Sequence, residues 1–292
     1  MPIKSMKPLP SIRVTNRRSI YRQLVKRFRN RTSIIAEGDS WFAYPPEFIF
    51  AGRSSNVIAH LAKMERYNLC TVAKSGDEIL DILAGKKWND LRSFVARDQP
   101  DILLISGGGN DVAGPDKVPA GAHGDLERNA FGYFLNDNVT SDDPKKYLNW
   151  TRLNRRLAAI EGVYDRLIAF VDVQAPLTRV VAHTYAYAIP NPKGAVFVGG
   201  LVKIKKGDSW LWPSLRAHDV PKKHDRAIVR LVMDAMAERL LKLEREWPGR
   251  FYVADTRKLV GPSQWKDEIH PDTHGFKKVA ACMRARINDA LG

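Results

Sequence analysis

The chain has 292 residues, of which 44% are hydrophobic and 27% are charged, a balance typical of a folded globular domain and not of a disordered protein. No run reaches the roughly 20 apolar residues of a membrane-spanning helix, and two cysteines are too few for a framework of disulfides. The first residues lack an apolar signal segment, so we expect a cytoplasmic protein, although a chain that had lost its signal would look the same.

The formal net charge of +15 is concentrated at the N-terminus, where residues 1–32 hold ten lysines and arginines and no acidic residue. We therefore predict a basic arm over 1–32 and one domain over 33–292. Such an arm can meet an anionic membrane surface or nucleic acid. The alternative is that Ile20, Leu24 and Phe28 dock one helix onto the domain. We expect no stable nucleic-acid partner.

Beyond the arm, short runs rich in branched apolar residues alternate with segments of helical periodicity. Continuous apolar runs of this length predict strands that are covered on both faces. They lie at residues 33–37, 68–73, 101–107, 178–187 and 250–255. Apolar residues at helical spacing predict helices over 153–171, 228–236 and 276–287. The alternation predicts a doubly wound α/β sandwich with a ligand site beyond the carboxyl ends of its strands.

Two insertions interrupt this alternation, at about residues 113–150 and 190–221. The first is rich in Gly, Pro, Asn and Asp, and the second contains the Lys-rich segment that precedes "GDSWLWP". Each insertion follows the carboxyl end of a predicted strand. We therefore expect both to line or cover a pocket.

The tetrapeptide Gly-Asp-Ser-Trp occurs twice, ending at Trp41 and at Trp210. Ser40 follows the first predicted strand directly, at the sheet edge where a hydroxyl can meet a ligand. Ser209 lies inside the second insertion, so we predict a loop residue there. A serine nucleophile needs a histidine base and an acid to orient it. Asp267, three residues before His270, supplies both near the C-terminus.

A serine nucleophile also needs donors aimed at a developing oxyanion. Asn110 follows three glycines at the end of the third predicted strand and offers a side-chain amide. Gly76 follows the second predicted strand and offers a backbone N–H at a helix start. The Ser40 segment is not the Gly-x-Ser-x-Gly elbow of the α/β-hydrolases, because Phe42 stands where the second glycine would be.

Four blocks in this order resemble those of the GDSL, or SGNH, hydrolases. They are Gly38-Asp39-Ser40, Gly76, Gly108-Gly109-Asn110-Asp111 and Asp267-Glu268-Ile269-His270. The resemblance implies a three-layer α/β/α fold with a flavodoxin-like five-stranded parallel sheet and metal-free ester hydrolysis. It also implies that Ser40 is the nucleophile, His270 the base and Asp267 its partner. The oxyanion would be met by Ser40 N–H, Gly76 N–H and Asn110.

The remaining polar and aromatic candidates have structural alternatives. Asp39 and Asp111 are expected to pin turns, and Asp272 to cap the last helix, which disfavours a metal site formed by His270 and His274. We expect neither metal nor cofactor. Candidate substrate contacts are Trp41, His183, Trp210 and Trp212. The alternative for His183 is a place in the core or a loop. For Trp210 and Trp212 the alternative is that they pack their own loop against the domain.

The leading hypothesis is a serine esterase that forms an acyl-enzyme with a lipid-like or short-chain acyl ester. An alternative within the same resemblance is an esterase that removes O-acetyl groups from carbohydrate. A third hypothesis, of another class, is a non-catalytic module that binds membranes or nucleic acid through the basic arm. The complete set of catalytic residue types disfavours this third hypothesis.

Overall fold

The computed structural model describes residues 14–44, 55–64, 66–114, 130–192 and 210–292. A parallel sheet runs through it in the spatial order β1-β3-β2-β4-β5-β6. The strands are β1 (Val14–Thr15), β2 (Thr32–Gly38), β3 (Tyr67–Thr71), β4 (Ile102–Ser106), β5 (Arg179–His183) and β6 (Phe251–Ala254).

Five of these strands coincide with the five apolar runs of the sequence. Their spatial order, second-first-third-fourth-fifth, is that of flavodoxin-like sheets, so the predicted fold class is confirmed. The predicted number of strands is wrong, because the described sheet has six. The additional strand, β1, consists of two residues at the edge beside β3, which is too short to leave an alternating or apolar pattern.

Helices cover the sheet. They are α1 (Arg18–Arg27), α2 (Ser40–Ala43), α3 (Val57–Leu61), α4 (Ile79–Ile82), α5 (Gly85–Asp98), α6 (Gly109–Ala113), α7 (Ala130–Tyr133), α8 (Trp150–Gln174), α9 (Trp212–Ala217), α10 (Asp225–Glu246) and α11 (Thr273–Leu291), with 3-10 turns at Pro144–Tyr147 and Lys222–His224. The predicted helical stripes fall in α8, α10 and α11. The stripe residues of α8 are all buried, and they are Leu153, Leu157, Ile160, Tyr164, Leu167 and Val171. One continuous core joins these stripes to the strands.

The described part of the basic segment packs onto the domain. Helix α1 contacts β3, and it buries Tyr21 and Leu24, while Ile20 and Phe28 are half-buried. Arg18 and Arg22 both bond to Asp98 at the end of α5. Residues 14–32 thus match the alternative of a docked helix, and residues 1–13 lie outside the described part of the chain.

Within the described ranges, none of the helices combines the length and the apolar composition that crossing a bilayer requires.

Candidate active site

Ser40 lies at the carboxyl edge of the sheet, where β2 turns into the short helix α2. Gly38 makes this turn possible, because its φ is +153° and a Cβ there would lie 2.4 Å from the carbonyl oxygen of Ser106 on β4. Asp39 then caps α2 by accepting a 2.9 Å hydrogen bond from the Trp41 N–H, as the sequence predicts. The close approach of β2 to β4 therefore fixes the position of Ser40 at the edge of the sheet.

Asp267 and His270 lie in the loop between β6 and α11. The carboxylate of Asp267 accepts the N–H groups of Ile269 at 3.0 Å and His270 at 2.8 Å, which folds the loop into a tight turn. Asp272, the predicted N-cap of α11, accepts the N–H of Gly275 at 2.8 Å and ends this loop. The last helix thus begins directly behind the histidine.

The three side chains meet although 230 positions separate Ser40 from His270. The Ser40 hydroxyl is 2.8 Å from His270 Nε2, and both carboxylate oxygens of Asp267 are 2.9 Å from His270 Nδ1. All three residues are at least 96% buried. Since Nδ1 faces a carboxylate, it carries the hydrogen, which leaves the Nε2 lone pair to accept from Ser40. This arrangement can remove the proton of the hydroxyl as it attacks an acyl carbon.

Tyr44 is a neighbour of this set that the sequence gives no signal for. Its ring centroid lies 4.5 Å from that of His270, and its hydroxyl donates a 3.4 Å bond to Asp267 Oδ2. The ring covers one side of the imidazole and restricts its rotation. Tyr44 therefore helps to keep Nε2 directed at Ser40.

Asn110 lies just beyond the end of β4, and its side chain reaches the turn that contains Gly76. The Asn110 side-chain amide donates a 2.9 Å bond to the carbonyl of Asp77, the residue after Gly76. An amide has two hydrogens, so the second can serve a ligand. Gly76 lies in an exposed turn before α4, with φ +85° and open space where a Cβ would stand. Position 76 therefore favours glycine because of its backbone conformation, and not because a side chain would clash.

A pocket opens beside Ser40 and is lined by Asn110 on one side. Most of its other lining side chains are apolar or aromatic, and they include Trp41, Ala113, Tyr185, Leu211 and Met233. An apolar wall next to the buried Ser40 hydroxyl suits hydrocarbon better than a polyhydroxylated sugar. Trp41, a predicted substrate contact, lines this pocket.

The other predicted substrate contacts are placed differently. His183 is completely buried and its ring stacks on Trp41 at 5.2 Å, so the prediction that it lines the pocket is wrong and the core alternative holds. Trp210 packs edge-on against His270 with ring centroids 5.8 Å apart. Trp212 begins α9. Ser209 lies outside the described residues.

Two buried carboxylates near the site have structural roles, as predicted. Asp111 accepts the N–H groups of Ile79 and Leu80 at the start of α4, at 2.8 and 3.1 Å. Burial raises the pKa of this carboxyl to about 6. Asp111 and Asp39 therefore each hold the first turn of a helix at the edge of the sheet.

Glu268 is a residue of the fourth block whose importance the sequence does not reveal. It is completely buried, and its carboxylate accepts four backbone N–H groups, from Asn191, Trp210, Leu211 and Trp212, at 2.7 to 3.0 Å. Burial raises the pKa of the Glu268 carboxyl, against the effect of these donors. Residues on both sides of 193–209 are thereby held on the loop that carries His270, and Leu211 is held in the pocket wall.

Replacing Glu268 with glutamine is expected to lower the free energy of unfolding by about 3 kcal/mol. Each carboxylate oxygen accepts two N–H groups, and an amide nitrogen in place of either oxygen loses two charge-assisted bonds. Urea denaturation measures the effect. Glu246→Gln, at a side chain that is 49% exposed on α10, is the matched control and should change stability by less than about 0.5 kcal/mol. Equal stability of the two variants would contradict the anchoring role.

No family model matches the sequence, and no curated protein matches it either. Solved structures do match over most of the chain. An extracellular lipase from Streptomyces rimosus has a TM-score of 0.51 and 16% identity, over 87% of this chain and 99% of the lipase. A lipase from a goat rumen metagenome has a TM-score of 0.52 and 14% identity, over 87% and 97% of the two chains.

A third similar structure is a variant of an acetyl-xylooligosaccharide esterase from Geobacillus, with a TM-score of 0.50 and 15% identity over 88% of this chain and 94% of the esterase. At these identities the likeness is one of fold. The four sequence blocks resemble SGNH hydrolases, and the strands that carry them have the predicted order. The chain therefore has the fold of these lipases and esterases, and the SGNH resemblance is confirmed as a resemblance of fold.

Proposed function

We propose that this protein is a metal-independent serine hydrolase that cleaves acyl esters through an acyl-enzyme. The observation that carries the proposal is the continuous hydrogen-bonded series from the Ser40 hydroxyl through both nitrogens of His270 to Asp267. The three groups come from the first and the last of the four sequence blocks and meet at the sheet edge where the fold places ligands. The similar structures, which are lipases and an esterase, support the same reaction class.

In the first half of the reaction, the Ser40 oxygen bonds to the ester carbonyl carbon as its proton passes to His270 Nε2. The bond between that carbon and the leaving oxygen then breaks, and His270 returns the proton to the departing alkoxide, which leaves as an alcohol. Asp267 stabilises the imidazolium that exists between these two proton transfers. The product of this half is an ester of Ser40.

In the second half, water attacks the Ser40 ester while His270 Nε2 removes one of its protons. The bond to Ser40 breaks, the proton returns to the Ser40 oxygen, and the free acid leaves. In both tetrahedral intermediates the former carbonyl oxygen carries a negative charge. The donors that we assign to it are the Ser40 and Gly76 backbone N–H groups and the second amide hydrogen of Asn110.

Replacing Asn110 with alanine is expected to lower kcat by roughly 100- to 1000-fold, as for the loss of one oxyanion donor, with a smaller change in KM. The donor acts on charge that develops only in the transition state. Steady-state hydrolysis of p-nitrophenyl acetate measures the effect. Asn136→Ala, which removes a carboxamide in another loop, is the control, and wild-type kcat for Asn110→Ala would remove Asn110 from the oxyanion site.

The apolar pocket beside Ser40 favours lipid-like or short-chain acyl esters as the substrate class. Carbohydrate O-acetyl esters are the alternative, and the likeness to an acetyl-xylooligosaccharide esterase is one of fold only. A series of p-nitrophenyl esters of rising chain length separates the two. Each methylene buried in an acyl pocket adds about 0.8 kcal/mol, or nearly fourfold, to kcat/KM. A sharp loss beyond acetate would favour the deacetylase.

A further inference from the structure

Behind Ser40 lies a second set of aspartate, serine and histidine that the proposed reaction does not use. Ser106 Oγ is 2.7 Å from Asp39 Oδ1 and 2.9 Å from His183 Nε2. The other ring nitrogen, His183 Nδ1, is 2.8 Å from the carbonyl oxygen of Thr184. Ser106 and His183 are completely buried and Asp39 is 99% buried. This set, the buried relay, is therefore not a second nucleophilic site.

The hydrogens of the buried relay can be counted from its contacts. A carbonyl oxygen only accepts, so His183 Nδ1 must carry a hydrogen toward Thr184. If His183 is neutral, its Nε2 has only a lone pair. The hydrogen between His183 Nε2 and Ser106 Oγ must then come from the Ser106 hydroxyl. Ser106 then has no hydrogen left for Asp39. The 2.7 Å contact consequently requires a proton on the carboxyl group of Asp39.

In the second possible assignment of the hydrogens, Asp39 is ionised and the Ser106 hydroxyl donates to its carboxylate. Ser106 then has no hydrogen for His183, so Nε2 must carry one. Since Nδ1 also carries a hydrogen, the ring is an imidazolium. In both assignments, Asp39 and His183 together hold one proton more than they would if Asp39 were ionised and His183 were neutral. They differ in charge, because the first is neutral and the second is a buried ion pair.

Burial decides between the two assignments, because neither group is in contact with water and separating charge there is costly. Burial raises the pKa of Asp39 and outweighs the opposing effect of its contacts with Tyr185, Ser106 and the Trp41 N–H. Burial also lowers the pKa of His183 to about 4. Both effects favour the uncharged assignment.

We infer that Asp39 is protonated in the resting enzyme and donates to Ser106, so that the residue before the nucleophile is an uncharged positioning residue. In this form it still accepts the N–H of Trp41 and the hydroxyl of Tyr185, and thus holds both the start of α2 and the pocket wall. The inference about catalysis rests on the proposed function. An ionised Asp39 would add a second negative charge beside the oxyanion that forms on substrate bound to Ser40.

Other titratable groups also act on this carboxyl. Tyr185 and Tyr164 are buried neighbours whose pKa values are raised, first by their own burial and then by the charge that Asp39 would carry. His270, when protonated, favours an ionised Asp39. During turnover that imidazolium is transient and is already paired with Asp267. It therefore does not change the assignment for the resting enzyme.

Infrared spectroscopy of protein labelled with ¹³C at the aspartate carboxyls tests the inference at pH 8. We expect a C=O band of a protonated carboxyl in the full-length protein and its loss in Asp39→Asn. Asp111→Asn is the matched control and should keep the band, because the pKa of Asp111 is about 6 and its carboxyl is ionised at this pH. A wild-type spectrum with carboxylate bands alone would overturn the inference, whether or not either variant folds.

A second measurement addresses the histidine and needs no change at Asp39. In ¹⁵N-histidine-labelled wild type, the resonances of His183 are identified as those missing from His183→Gln. We expect a hydrogen on Nδ1 and none on Nε2 between pH 6 and 9. Hydrogens on both nitrogens would identify the ion pair and overturn the inference. Neither measurement depends on turnover, so failure here leaves the proposed function intact.

Discussion

Replacing Ser40 with alanine is expected to lower kcat for ester hydrolysis by about 10⁶-fold. The alanine variant has no oxygen to form the acyl-enzyme, and residual turnover would come only from the remaining oxyanion donors and from substrate binding. The hydroxyl bonds only to His270 in the described structure, so the variant should fold as wild type does. Pre-steady-state and steady-state hydrolysis of p-nitrophenyl esters measures the loss.

The control for this variant is Ser55→Ala, which removes a hydroxyl that bonds to Thr273 Oγ1 and does not line the pocket. It should retain kcat to within a few-fold. If Ser40→Ala keeps its circular dichroism spectrum and still turns over more than a hundredth as fast as wild type, then Ser40 is not the nucleophile.

Replacing Asp267 with asparagine is expected to lower kcat by about 10⁴-fold, as for the corresponding change in a Ser-His-Asp triad. The imidazolium formed during the reaction loses its counter-charge. An amide N–H placed toward His270 Nδ1 also favours the tautomer with the hydrogen on Nε2, which cannot accept from Ser40. The pH dependence of kcat/KM is the measurement.

Asp272→Asn is the control for this change, because Asp272 caps α11 in the same loop and asparagine caps helices equally well. That variant should retain wild-type kcat. If Asp267→Asn lowers kcat by less than tenfold, the carboxylate is not what orients His270. Tyr44 and the surrounding packing would then orient the ring.

Much of the fold was predictable because the central strands are apolar on both faces. β2 and β4 are almost entirely buried, so their sequences contain no polar alternation and stand out from the helices. β1 was missed for the opposite reason. It has two residues, one of them half-buried, and it depends on pairing with β3 rather than on its own composition.

The meeting of Ser40, Asp267 and His270 was predictable because the loops that follow the parallel strands β2 and β6 lie at one edge of the sheet. The roles of Glu268 and His183 were not predictable. Glu268 stabilises its surroundings through backbone N–H groups, which every residue except proline carries whatever its side chain. His183 ends a strand as a pocket residue would, and only tertiary packing shows that Trp41 covers it.

The most direct test of the account is covalent labelling with a fluorophosphonate, followed by mapping of the modified peptide. The reagent bonds to a serine oxygen that a neighbouring base has activated. We predict one modified residue, Ser40, with labelling lost in Ser40→Ala and retained in Ser209→Ala, which alters the second Gly-Asp-Ser-Trp. Label on Ser209, or undiminished labelling of Ser40→Ala, would contradict the account.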